Sequence, residues 1–189
     1  MVNAITQPES DRIFISRNTL VVLCGPAGCG KSTFAVRHFL ATQTVSSDNC
    51  RAMVSDDPTN QGVSGHAFDL MHFIIEKRLR LARLTVADAT NLDRRDRRSL
   101  IRIARWYNFN AAAVVFNIPL KICLTRNSKR ERKVPEDALL RQFEMLEATL
   151  ASIDREGFDY VYVFDERDQD VVKIEIGPLK LRRRPRNQN

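Results

Sequence analysis

Apolar residues recur along the chain in short unbroken runs separated by amphipathic stretches. The run "NTLVVLCG" (18–25) is aliphatic and β-branched, lacks polar alternation and closes on glycine, the pattern of a strand buried on both faces. "KSTFAVRHFLATQ" (31–43) follows with helical spacing at Phe34, Ala35, His38 and Phe39. A second short strand, "TVSS" (44–47), leads into "DNCRAMVSDDPTN" (48–60), where Asp48 opens a helical turn and Asp57-Pro58 breaks it. From about Ser64 to Arg83, Phe68, Met71, Ile74, Ile75 and Leu79 share one side of a helix. "LTVAD" (84–88) is another buried-type strand, and "RRDRRSLIRIARWY" (94–107) another amphipathic helix. "AAAVVFN" (111–117) and "DYVYVFD" (159–165) repeat the strand pattern, with a basic segment and a helix of about two dozen residues beginning near Pro135 between them.

Strand and helix alternate over the whole length, which predicts an α/β fold with a parallel β-sheet flanked by helices on both faces. At 189 residues the chain fits one domain. That domain is expected to occupy residues 1–176, with "GPLKLRRRPRNQN" (177–189) as a basic tail or linker. No apolar run approaches the roughly 20 residues of a membrane span. The N-terminus has no apolar stretch behind a basic start and does not read as a signal peptide, so a cytoplasmic protein is the expectation. Cys24, Cys29, Cys50 and Cys123 form no pair suited to zinc or to a disulfide framework. A net charge of +7 predicts a field that gathers anions, nucleotides and nucleic acids above all.

One segment carries specific chemistry. Gly25-Pro-Ala-Gly28-Cys29-Gly30-Lys31-Ser32 satisfies G-x-x-x-x-G-K-[ST] between a buried strand and a helix, the context this P-loop requires. Its glycines let backbone N–H groups turn toward phosphate oxygens, Lys31 reaches the β- and γ-phosphates, and the Ser32 hydroxyl suits Mg²⁺. The cradle binds a nucleoside triphosphate such as ATP but leaves the fate of the γ-phosphate open. Most ATPases of this class close a hydrophobic strand with an acidic pair, whereas "LTVADATN" offers Asp88 alone, as a metal-side carboxylate or as a helix cap.

Asp48 comes at the carboxyl end of a strand, where the P-loop also sits. A carboxylate beside polyphosphate is useful if an attacking hydroxyl lies between them, because it accepts that hydroxyl's proton. The bland alternative is a helix cap. Arg51, one helical turn on, either pairs with Asp48 or grips an acceptor's phosphate. In "TRNSKRERKV" (125–134), Arg126 and Arg130 stand four apart, hence on one helical face, with Arg132 just beyond. They read as an arginine-bearing lid over the transferred phosphate, spanning about 126–150, or as a solvated basic helix end. Arg78, Arg80 and Arg83 offer a track for an acceptor strand or an ordinary helix end.

Together "LVVLCGPAGCGKSTFA", "VSSDNCRAMVSDD", "AFDLMHFIIEKRLRLARLTVADATN", "AVVFNIPLKICLTRN" and "REGFDYVYVF" resemble the N-terminal 5′-hydroxyl kinase domain of bacterial polynucleotide kinase-phosphatase (Pnkp), from about Asn18 to Phe164. The resemblance implies a P-loop phosphotransferase. Gly25, Gly28, Gly30, Lys31, Ser32 and Thr33, with Cys29 among them, would hold the nucleotide, and Ser32 and Asp88 would face Mg²⁺. Asp48 would be the general base, Arg51 an acceptor-site arginine, and Arg126, Arg130 and Arg132 lid arginines on the donor phosphates. The implied acceptor is a nucleic acid 5′-OH end, RNA or DNA. The family also carries phosphatase and ligase domains, and the basic tail stands where a linker to them would begin. Two other readings stay open: a P-loop small-metabolite kinase, and a nucleotide-binding module that transfers nothing.

Overall fold

The computed structural model describes residues 12–179. The N-terminal segment before Arg12 and the expected basic tail from Lys180 onward lie outside the described residues. Seven strands and seven α-helices follow in order: β1 (Arg12–Ser16), β2 (Thr19–Cys24), α1 (Lys31–His38), β3 (Thr44–Ser46), α2 (Ser47–Ser55), α3 (Ser64–Arg80), β4 (Thr85–Asp88), α4 (Arg94–Trp106), β5 (Asn110–Phe116), α5 (Leu120–Ser128), α6 (Glu136–Leu150), β6 (Tyr160–Phe164), α7 (Asp168–Val171) and β7 (Lys173–Gly177).

The five strands expected from the sequence form one parallel sheet in the order β3-β4-β2-β5-β6. Strand β2 is buried at all six positions, as its unbroken apolar run requires. Its residues divide between two cores. Leu20, Val22 and Cys24 pack with Met71, Ile75 and Leu79 of α3 and Leu100 and Ala104 of α4. Val21 and Leu23 pack with Phe34 and Ala35 of α1, Cys123 of α5 and Leu139 of α6. Helices therefore cover both faces. No helix among the described residues is long and apolar enough to cross a membrane.

Three features differ from the pattern-based reading. A two-stranded parallel sheet joins β1 to β7, with Ile13 opposite Ile174, and was not anticipated. The helix after Pro135 has 15 residues rather than two dozen, because the chain turns at Ala151 through a short 3-10 turn at Ile153–Arg155. Helix α5 ends at Ser128, so Arg126 lies within it and Arg130 lies beyond it, and the two do not share a helical face.

A buried ion pair fixes the loop after β4. Arg97 of α4, 1% exposed, donates from Nε and Nη2 to Glu156 at 2.7 and 2.6 Å. Its Nη1 donates to the carbonyls of Asn91 and Leu92 at 3.0 and 2.8 Å. Each polar atom taken from water is thus matched, as a buried charge demands. The loop that leaves Asp88 is held rigid by the helix that follows it.

Candidate active site

The carboxyl ends of β2, β3, β4 and β5 bring the chemistry together. Gly25, Gly28 and Gly30 all have positive φ, and a side chain at Gly28 (φ +80) would place Cβ 2.6 Å from the Cys123 carbonyl oxygen. The loop is therefore closed around backbone by geometry that only glycine supplies. Gly30 is the N-cap of α1 and offers no side chain to the first turn, leaving those N–H groups and the positive helix end for an anion. Lys31 is 8% exposed and folds back across the loop, donating to the carbonyls of Gly25 and Pro26 at 2.7 and 2.8 Å. An incoming polyphosphate competes with those carbonyls for the ammonium.

Ser32 and Thr33 are exposed beside it. The Ser32 hydroxyl lies close to the Asp88 carboxylate, which is 6% exposed. Burial pushes the Asp88 carboxyl above the usual range, while the Ser32 hydroxyl and the Lys31 charge pull it down and Asp48 raises it again. A buried carboxylate with a hydroxyl near it, at the mouth of a phosphate loop, fits Mg²⁺, which takes one or two carboxylates and fills its shell with phosphate oxygens and water. Among the described residues no cluster of three or more His, Cys, Asp or Glu marks an all-protein metal site.

Asp48 stands next to this pair. Ser46 is in register with Asp88 across the β3–β4 ladder, and Asp48 follows two residues later in the first turn of α2. The cap of that helix is Ser46, whose hydroxyl accepts from the Asn49 N–H, so Asp48 is not spent on capping. Its carboxylate is held from two sides. Arg51 Nη1 donates to Oδ1 at 2.6 Å and Arg132 Nη1 to Oδ2 at 3.2 Å. Arg51 is 5% exposed, also donates to the Pro58 carbonyl, and keeps a buried Nε without a partner. Of the two readings left open by the sequence, the structure shows the pairing with Asp48.

Arg126 and Arg130 reach the phosphate loop. With Gly28, Gly30, Thr33, Arg37 and Gln169 they line a groove of about 350 Å³. Arg126 donates to the Cys29 carbonyl at 3.4 Å and to Gln169 Oε1 at 3.2 Å. The third arginine of the segment, Arg132, points instead to Asp48. Gln169 was not singled out from the sequence, yet its side chain donates to the Cys29 carbonyl and covers Gly30. Arg37, which donates to the Gln169 carbonyl at 2.7 Å, escaped notice as well. The available signal was positional: residues 165–171 follow the carboxyl end of a sheet strand, where α/β sites assemble. Cys123, behind the loop, is pushed up to about 12 by burial and serves packing rather than thiolate chemistry.

A family profile described as an AAA domain (AAA_33) matches residues 20–152. The transcription factor bHLH140 of Arabidopsis thaliana is 31% identical over 125 residues, which is 66% of this chain and 13% of that protein. Among solved structures, a chain of a Pnkp1/Rnl/Hen1 RNA repair complex is similar with a TM-score of 0.62 at 22% identity, over 72% of this chain and 46% of that one. A sugar kinase from Janibacter sp. HTCC2649 is similar with a TM-score of 0.53 at 21% identity, over 80% of this chain and 86% of that one. The chain spans less than half of the RNA repair chain and a small fraction of the plant protein. The family match and the two solved structures support a P-loop kinase fold.

Proposed function

The chain belongs to the AAA_33 family of AAA domains, and from that premise we propose that it transfers the γ-phosphate of a nucleoside triphosphate to the 5′-hydroxyl end of a polynucleotide. The observation that carries the reading is Asp48, free of any capping duty, beside the Ser32–Asp88 pair at the mouth of the phosphate loop. A carboxylate there repels the donor, and the cost makes sense if a hydroxyl comes between them.

The acceptor oxygen attacks the γ-phosphorus, its proton passes to the Asp48 carboxylate, and the bond to the β–γ bridging oxygen breaks to release the nucleoside diphosphate. Lys31 turns from the Gly25 and Pro26 carbonyls to the phosphates, and Arg126 and Arg130 close over the equatorial oxygens, where loose phosphoryl transfer spreads its charge. Ser32 and Asp88 would hold Mg²⁺, which would supply positive charge to the phosphates. Arg51, which holds the Asp48 carboxylate, is the acceptor-site arginine of this reading. A net charge of +7 supports a polyanionic acceptor over a small neutral one. The RNA repair complex among the similar structures suits the same class. On this reading the domain works beside phosphatase and ligase activities of a longer chain.

The test offers Mg-ATP with a 5′-hydroxyl oligonucleotide, its 5′-phosphorylated twin and a panel of sugars. Labelling of the first alone is expected. Labelling of a sugar alone selects the small-metabolite kinase, and no labelling selects the nucleotide-binding module. Asp48→Asn is expected to lower turnover by roughly 10² to 10⁴ while ATP binding survives.

A further inference from the structure

Helix α4 carries six arginines and one aspartate among its 13 residues. Three of the arginines are committed within the fold: Arg97 to Glu156, Arg105 to Asp159 and the Gly157 carbonyl, and Arg95 to Asp93. The other three are Arg94, Arg98 and Arg102, all exposed. Arg94 comes only within 3.9 Å of Glu156, whose carboxylate already accepts two hydrogen bonds from Arg97 and one from Ser152. Arg98 and Arg102 make no ion pair among the described residues. These arginines repeat every fourth residue, and the next residue in that series is Trp106, 81% exposed. At about 100° per residue the four side chains fall within roughly a third of the helix circumference and span about 18 Å. Two of them, Arg98 and Arg102, line a groove of about 380 Å³ together with Arg95, Ser99, Ile101 and Glu156. Asp96, the acidic residue of the helix, is turned away and lies near His72 of α3.

We propose that this outer face of α4, from Arg94 to Trp106, is a second nucleic-acid surface that holds the single-stranded part of the acceptor leading away from its reacting end. Three arginines in line match a phosphate backbone, since each planar fork suits phosphate oxygens. An exposed indole at the end of the row gives an unpaired base a face to stack on, which a duplex would not present. A lipid surface would call for an apolar flank along the helix, and Trp106 stands at its end behind three arginines. The row also begins at the right place. The Thr90 carbonyl accepts from the Gly25 N–H of the phosphate loop at 2.9 Å, and Arg94 follows four residues later. The surface rests on the kinase reading above for the strand's role as acceptor, but binding can be measured without it.

Trp106 is the chain's one tryptophan and therefore reports on its own surface. The experiment titrates the protein, with saturating ADP, against a 5′-phosphorylated oligothymidylate of about twelve nucleotides, which no 5′-hydroxyl kinase can use as acceptor. Quenching of Trp106 fluorescence is expected, with affinity falling steeply as salt rises. Arg98→Ala with Arg102→Ala is expected to reduce the slope of log K against log salt by about 1.4, at roughly 0.7 per phosphate contact on a single strand. Trp106→Ala, followed by anisotropy of a labelled oligonucleotide, is expected to weaken binding about five-fold or more, and Trp106→Phe to restore most of it. All these positions are exposed, so folding is not at risk. Absence of quenching, an unchanged salt slope, or full competition by inorganic polyphosphate together with no effect of Trp106→Ala would overturn the proposal. Equal quenching by phosphatidylserine vesicles would overturn it in favour of a membrane surface. Loss of all phosphate transfer with quenching intact would remove the kinase reading and leave the surface in place.

Discussion

Arg132 and Asp48 are 84 residues apart in sequence and meet at 3.2 Å, joining the segment between α5 and α6 to the first turn of α2. Among the described residues it is the one ion pair that ties 129–135 to the rest of the fold. On the proposed reading an acceptor hydroxyl shares Oδ2 with Arg132. Arg132→Ala and Asp48→Asn are both expected to speed amide exchange in 129–135, whatever their effects on turnover. Arg132 is partly exposed, so Arg132→Ala should change global stability by no more than about 1 kcal/mol, whereas Asp48→Asn also takes the counter-charge from buried Arg51 and should cost more; high salt should loosen the wild-type segment in the same way. Unchanged exchange in both variants would show that the pair does not hold the segment down.

Arg126 and Gln169 share the Cys29 carbonyl but are expected to fail differently. On the proposed reading Arg126 faces the transferred phosphate, and Arg126→Ala should lower kcat by roughly 10³ or more, the worth of an arginine on the equatorial oxygens. Gln169 covers the Gly30 side of the groove, so Gln169→Ala should raise the KM for ATP with little effect on kcat. Steady-state kinetics of the two variants separates them, and equal effects on kcat would contradict the assignment.

Gly28 answers to sterics alone. At φ +80 a side chain is strained, and its Cβ would lie 2.6 Å from the Cys123 carbonyl, a backbone atom that cannot swing aside. Gly28→Ala is expected to cost about 1–3 kcal/mol. At roughly 2–4 °C per kcal/mol for a chain of this size, thermal denaturation reads that directly. ATP binding should be lost with it, because the loop must open to relieve the clash.

How much of this was legible in the sequence depends on how local each cause is. The central strands could be read because Leu20–Cys24 and Ala111–Phe116 are apolar without interruption, and the phosphate loop because its glycines answer a local backbone demand. The β1–β7 pair could not, because Arg12–Ser16 and Lys173–Gly177 mix charged and apolar residues and find each other across almost the whole chain. Counting four residues puts Arg126 and Arg130 on one helical face only while the helix lasts, and α5 stops at Ser128. Both still reach the groove, since the turn after the helix folds back over the loop. Gln169 sits in a polar stretch with no motif, and only the fold places that stretch against the phosphate loop.

Asp88 separates what the site does from what the fold prefers. Burial holds its folded-state pKa above the ordinary carboxylate value, despite the Ser32 hydroxyl and the Lys31 charge. The native state therefore holds a proton at a pH where the unfolded chain has released it, and stability falls as pH rises through that window. At pH below the ordinary carboxylate value both states are protonated and the penalty is absent; above the raised folded value it is fully present. Asp88→Asn keeps the shape and removes the charge. It is expected to raise the Tm of the nucleotide-free protein at neutral pH, with the difference shrinking toward zero as the solution is acidified. On the proposed reading the same variant should lose most of its turnover, because the carboxylate that would hold Mg²⁺ is gone, and excess Mg²⁺ should restore little of it. Melting curves across the pH range, set beside turnover, decide the matter: a Tm gain independent of pH would mean that the Asp88 charge is not what destabilises the fold.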